Sequence, residues 1–281
     1  MIVRVPAADV PTLERDQRLR TIRTQTIYVF NLDFDRRERT PQATARDGSP
    51  LPTNPFNDAR VREAFELAID RQALAEIAME GMGRPEAQMV TPGIFGFIPN
   101  MPVARPNIQR ARQLLTEAGY PNGFRTVLSF TVDRLAGDRA VGLAMVQMLA
   151  RIGIDAQANG QPITVIFPAR TRGEYSLTML GWGTLTGEAH YTYSSLGHTN
   201  DPATRLGAFN WRGYSNPQFD AVLQRAGAEL DNARREQLLQ EAGRMYLADR
   251  VTVPLVSVGT AWTMRRDRVT MVRTRSDEDT L

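Results

Sequence analysis

The 281 residues are 42% hydrophobic and 23% charged, which supplies a sizeable core for one large or two modest domains and argues against disorder. Thirty-four basic residues face 31 acidic ones with the signs interspersed, so no phosphate-binding stripe stands out, and every basic residue is Arg, which excludes P-loop and Schiff-base chemistry. There is no Cys, hence no disulfide, thiolate metal site or cysteine nucleophile, and no apolar run nears the roughly 20 residues of a membrane-spanning helix.

In chain order, residues 9 to 20 read as a short helix after Pro6. Thr24 to Phe34 reads as a strand with two apolar faces, as a buried strand requires. Residues 35 to 55 show no periodicity and read as loop. Asn57 or Asp58 then caps a helix with Val61, Ala64, Phe65 and Ala68 on one face, and Asp70 caps a second carrying Leu74, Ile77 and Ala78, closed by Gly81. Thr91 to Pro99 is a Gly/Pro-punctuated loop rich in aromatics, and Asn107 caps a helix ending at Gly119. Leu128, Phe130 and Val132 form a strand, and Leu143 to Leu149 lie in a helix ending near Gly153. Ile163 to Phe167 and Leu177 to Leu180 are read as further strands. Asn216 with Pro217, and then Asp231, start two more helices; Val251 to Val258 is a last strand, and Arg273 to Leu281 a frayed tail. Strands alternating with helices predict an α/β layered fold, its sheet built from the strands at 128–132, 163–167 and 177–181.

Few side chains are arranged for chemistry. His190 and His198, the only two histidines, lie near Glu188 without the spacing of a helical metal-ligand motif, so no metal is expected there. Ser194 and Ser195 have no base at a recognisable spacing, no carboxylate pair is marked as acid and base, and no dinucleotide fingerprint follows a strand. What remains is Met179 to Glu188, an apolar strand running into Gly181-Trp182-Gly183 and a polar loop. Glycines on both sides of Trp182 suggest a sharp turn that projects the indole at a strand's carboxyl end, where open α/β sheets bind ligands. A core Trp between two packing glycines is the competing reading.

Five blocks, in order, carry a resemblance. Asn57 to Leu74 (NDARVREAFELAIDRQAL), Ala111 to Phe124 (ARQLLTEAGYPNGF), Leu149 to Ile154 (LARIGI), Gly181-Trp182-Gly183 and Tyr214 to Asp220 (YSNPQFD) resemble the family 5 extracellular solute-binding proteins, the peptide-binding components of ABC importers. The resemblance implies the second lobe of a type II periplasmic-binding architecture, a central mixed sheet flanked by helices. Residues 1–34 would be a remnant of the first lobe with a crossing strand, 35–56 a loop, 57–255 the second lobe and 256–281 the return crossing. Because Met1 to Pro6 lacks a signal-peptide pattern and family members are longer, the chain is expected to be the C-terminal part of such a protein, its signal peptide in the missing part.

The implied function is capture of a small-molecule or peptide-like solute by lobe closure and delivery to ABC permease subunits. The protein would be a periplasmic monomer with no catalysis, cofactor or nucleic-acid partner. A sensing or adaptor module of the same fold, and less so an α/β enzyme, are the alternatives. The implied ligand contacts are Trp182, the loop residues Gly183, Thr184, Leu185, Thr186, Glu188 and Tyr191, Phe30 and Asn31 of the crossing strand, and Phe95. Peptide-binding members place an Asp after the Trp to pair the peptide's ammonium, and Leu185 stands there in this chain. Unless Glu188 substitutes, free-amine peptides are therefore expected to bind weakly.

Overall fold

The computed structural model describes residues 1–38 and 40–270, so the tail from Arg273 lies outside the described residues. A short helix α1 (Val10–Arg15) leads into β1 (Leu19–Phe34), followed by the two-residue β2 (Ala43–Thr44). Helices α2 (Ala59–Ala68) and α3 (Arg71–Ala73) precede the short β3 (Arg84–Pro85). Next come α4 (Ile108–Glu117), β4 (Arg125–Thr131), α5 (Asp138–Ala150), β5 (Asp155–Gln161), α6 (Ile163–Thr171) and β6 (Leu177–Gly183). The chain continues through α7 (Ala189–Leu196), α8 (Pro217–Ala228), α9 (Asn232–Ala248) and β7 (Thr252–Arg265). The seven strands form one mixed sheet in the order β2-β4-β6-β1-β7-β3, with β5 parallel to β4.

The expected two-faced burial of the first strand holds, and its period of two explains the layers. Phe30, Leu32 and Phe34 point into a core with Phe56, Phe65 and Phe124 beneath α2, α4 and α5. Ile27 and Val29 point to the opposite face, where Tyr193, Phe219, Leu239 and Tyr246 of α7, α8 and α9 close a second core. Side-chain caps form where the sequence placed them: Asp58, Asp70, Asn107, Asn216 and Asp231 each accept a backbone N–H of the helix they start.

Four expectations are corrected. Residues 163 to 167 are helical, in α6, not a strand. The Pro162 carbonyl accepts the N–H groups of Val165 and Ile166, Ile166 and Ala169 are buried one turn apart, and Val165 faces outward. A five-residue apolar run does not distinguish strand from helix by periodicity. The sheet position goes instead to β5, Asp-Ala-Gln-Ala-Asn-Gly-Gln, whose polar residues are tolerated because it pairs only with β4. Third, Ile77 is 76% exposed, because Leu74 to Ala78 is a π-turn in which the Met79 N–H bonds the Leu74 carbonyl five residues back. The wider turn rotates Ile77 off the inward face. Fourth, the loop expected to run on to Tyr191 gives way at Ala189 to α7.

The first and last long strands are longer than expected and pair with each other along most of their length. Tyr28 to Phe34 lies in the sheet between β6 and β7, whereas Leu19 to Gln25 pairs only with Gly259 to Arg265. A register shift between Gln25 and Val29 separates the two parts. The outer part is a two-stranded ribbon leaving the sheet, onto which Ile2 and Val5 bond at Thr263 and Ala261.

Candidate functional site

Where β6 ends beside β1, Gly181 lies opposite Phe30 and Gly183 opposite Tyr28. Neither glycine has a positive φ, so they do not turn the chain as the motif suggested. They make room. A Cβ on Gly181 would fall 2.2 Å from Leu135 Cδ1, and one on Gly183 2.6 Å from Tyr28 Cε1. The strand thus runs straight through the motif, which lets Leu135 and the Tyr28 ring lie directly on it.

Between them Trp182 is half-buried. Its Nε1–H donates to Thr192 Oγ1 at 3.0 Å, and that hydroxyl also meets Thr184 Oγ1 at 2.9 Å. The indole stacks on Tyr191 of α7 (5.4 Å, 21°) and meets the edge of Phe209 (5.2 Å). Phe209 packs on Trp211 (5.5 Å), and Trp211 on Phe167 of α6 (5.9 Å). The Arg134 guanidinium then lies over both Phe167 (5.6 Å) and Tyr28 (5.9 Å), bonded to the Gly181 carbonyl. All these rings are half-buried, so they form a continuous aromatic wall with one open side.

The charges of the wall are ordered by burial. Desolvation lowers the Arg134 pKa from its ordinary value, but a guanidinium has so high a starting pKa that it stays charged. Asp138 fixes the turn that carries it, its carboxylate accepting the N–H groups of Arg134 (2.9 Å) and Leu135 (3.1 Å). Arg170 stacks under Trp211 at 4.4 Å and pairs with buried Asp33, which also meets Arg212 at 2.8 Å. Arg170 therefore anchors the wall from behind, while Arg134 is the guanidinium at its edge.

The expected contacts divide. Trp182, Gly183, Thr184 and Tyr191 come together as described. Phe95 joins them through the backbone, its N–H bonding the Gly187 carbonyl (3.0 Å) and its carbonyl accepting from Ala189 (2.9 Å). Leu185 is 60% exposed and Thr186 is also exposed. Glu188 is held by Arg235 at 2.5 Å, which neutralises the carboxylate expected to substitute for an ammonium partner. Phe30 and Asn31 are corrected: Phe30 is fully buried in the first core, and Asn31 is buried with its amide donating to the Leu180 carbonyl at 3.0 Å. Their strand lies mid-sheet, covered on both faces, so neither can face a solute.

Sequence reasoning missed Tyr28, Arg134, Phe167, Phe209 and Trp211, which come from four separate segments and are joined only by folding. His190 sits on α7, and the His198 Nδ1 lies 2.7 Å from the Thr199 carbonyl. Among the described residues no group of three or more His, Asp or Glu is placed to hold a metal.

Comparison with known proteins bears on this geometry. The glutathione-binding protein GsiB of Escherichia coli K12 is 34% identical over 209 residues, 72% of this chain and 40% of that protein. The chain therefore spans less than half the length of this curated relative. Among solved structures, HbpA2 from Haemophilus parasuis superposes with a TM-score of 0.81 at 19% identity, covering 98% of this chain and 51% of that one. The dipeptide-binding protein of Pseudoalteromonas sp. SM9913, in complex with Met-Leu, gives 0.79 at 20% identity, covering 98% and 51%. These likenesses show the type II periplasmic-binding fold. The profile of the bacterial extracellular solute-binding proteins, family 5 Middle, matches residues 1–204, and the chain belongs to this family.

Proposed function

We propose that this chain carries one wall of the solute cleft of an extracytoplasmic binding protein, which captures a small carboxylate-bearing solute and delivers it to an ABC permease. The observation that carries the reading is Arg134, a half-buried cation set between two aromatic faces at the edge of the wall. A planar fork of N–H donors in such a setting suits a carboxylate, and the rings around it suit the uncharged body of the solute. Glutathione and Met-Leu, named with two of the relatives, both bear carboxylates.

In this reading residues 57–255 are the second lobe, and β1 and β7 are the crossing strands, with residues 1–34 and those from 256 leading to and from the first lobe. Their two-stranded ribbon supports it, because hinges are few and strand crossings concentrate them. The protein would work as a periplasmic monomer exported by a signal peptide. No described helix is long and apolar enough to cross a membrane. Catalysis plays no part, since capture and release need no activated group.

The test is calorimetric titration of the full-length protein with peptides, opines, sugars and metal chelates, each acid paired with its amide. Carboxylates should bind and their amides should not. Arg134→Met should weaken binding by about 1.5–3 kcal/mol, roughly ten- to hundredfold in Kd. Equal affinity of the variant for the acid would reject the assignment.

A further inference from the structure

A second cluster of charge lies at the other end of the β1–β6 pair. Tyr28 and Gly183 meet at the aromatic wall, whereas Asp33 and Phe34 of β1 lie opposite Thr178 and Leu177 of β6. There Asp33, Asp35, Arg37, Arg170 and Arg212 border a cavity of 20 Å³, with Trp211 as a further lining residue. About 10–15 Å³ is enough to admit one water-sized species, so the space suits a single water or a monatomic ion and excludes a larger solute.

The ionic partners do not balance. Three guanidiniums line the cavity against two carboxylates. Asp35 pairs with Arg37 at 2.8 Å, and Asp33 is shared between Arg170 and Arg212. Asp33 and Arg212 are each only 4% exposed, so little water reaches them. Arg212 Nη1 donates to the Leu196 carbonyl at 2.6 Å. Its Nη2 lies 2.8 Å from Asp33 Oδ1 but out of hydrogen-bond alignment, and its Nε has no hydrogen-bond partner among the described residues.

A neighbouring guanidinium adds to the excess. Arg36 Nη2 donates to the Asp249 and Arg250 carbonyls, while the Asp249 carboxylate accepts from Tyr214 (2.6 Å) and Asn216 (2.9 Å). Burial first, then the charges of Arg62 and Arg212, lowers the Arg36 pKa to about 9. Burial and then Arg212 likewise lower that of Arg170. Guanidiniums start from so high a pKa that they keep their charge. A buried charge without its counter-charge is costly, and a buried N–H without an acceptor is rare.

We propose that this cavity is an anion site that holds one chloride ion, its charge met by Arg212, Arg170 and Arg37. A chloride balances the excess positive charge and offers the acceptor that Arg212 lacks, whereas a water offers only the acceptor. Trp211 borders this cavity and also belongs to the aromatic wall, stacking on Arg170 at 4.4 Å and packing on Phe209 and Phe167. The ion therefore braces the wall from behind, at a place the solute does not reach. The site is independent of which solute the cleft takes.

The experiment melts the full-length protein, without solute, in sodium chloride, sodium bromide and sodium gluconate at one ionic strength. Chloride and bromide should each give a saturable rise of about 2 °C or more over gluconate, which is too large to enter. Arg212→Gln should lose that rise. In bromide-soaked crystals of the wild-type protein, an anomalous peak should lie in the cavity beside Arg212 and Trp211. Equal melting in all three salts overturns the assignment, as does a halide effect that persists in the folded Arg212→Gln variant. Should that variant not fold, the bromide crystal decides alone: a peak in the cavity upholds the site, and its absence there rejects it in favour of water.

Discussion

Gly183 shows how little of a residue's role its type reveals. In the sequence it reads as a turn residue, yet it stays in the strand and serves as the gap into which the Tyr28 ring fits. Gly183→Ala should destabilise the protein by about 1–3 kcal/mol, because the added methyl meets an aromatic ring packed on both sides. Chemical denaturation would measure it, and an unchanged midpoint would mean that the ring swings aside without cost. His190 makes a pH prediction at the same scale. Burial, partly opposed by Glu188, lowers its pKa from the ordinary 6.5, so the folded protein binds this proton less readily than the unfolded chain. Its contribution to stability is present above pH 6.5 and is lost as the pH falls through the lower folded value. Melting temperatures of His190→Gln across that window should fall less steeply with acid than those of wild type.

At the scale of elements, capped helices were legible because a cap is a local event. Asp58, Asn107, Asn216 and Asp231 each bond an N–H two or three residues ahead, whatever the rest of the fold does. The exchange of β5 and α6 was not legible, because it is settled by partners distant in the chain. Asp133 accepts the Ile163 N–H at 2.9 Å from the far end of β4, capping a helix thirty residues on. Asp133→Ala should therefore cost about 1 kcal/mol, as loss of a helix cap does, and urea unfolding would show it. An unchanged stability would mean that the Pro162 turn alone starts α6. Ile77 was missed for a different, local reason: its spacing fits an inward helical face until a single π-turn moves it outward.

At the scale of the whole molecule, closure is the behaviour the ribbon of β1 and β7 suggests. In the full-length protein, saturating solute should reduce the radius of gyration in X-ray scattering and raise the melting temperature. A solute at about 100 times its Kd adds roughly 2.7 kcal/mol to stability. Scattering that does not change on saturation would argue for a preclosed cleft.

What the sequence determined by itself was the class of fold, the capped helices, the buried first strand and the absence of thiol and lysine chemistry. These follow from composition, periodicity and neighbouring residues. Its ordered motifs pointed to the family that the comparisons show, and singled out Trp182 as a candidate contact. The tertiary structure alone decided what surrounds Trp182. Tyr28, Arg134, Phe167, Phe209 and Trp211 come from a strand, a turn, a helix and a loop, and no local pattern brings them together. It likewise decided that Phe30 is core and not cleft. Which face of a strand is covered depends on the layers laid over it, and both layers come from later in the chain.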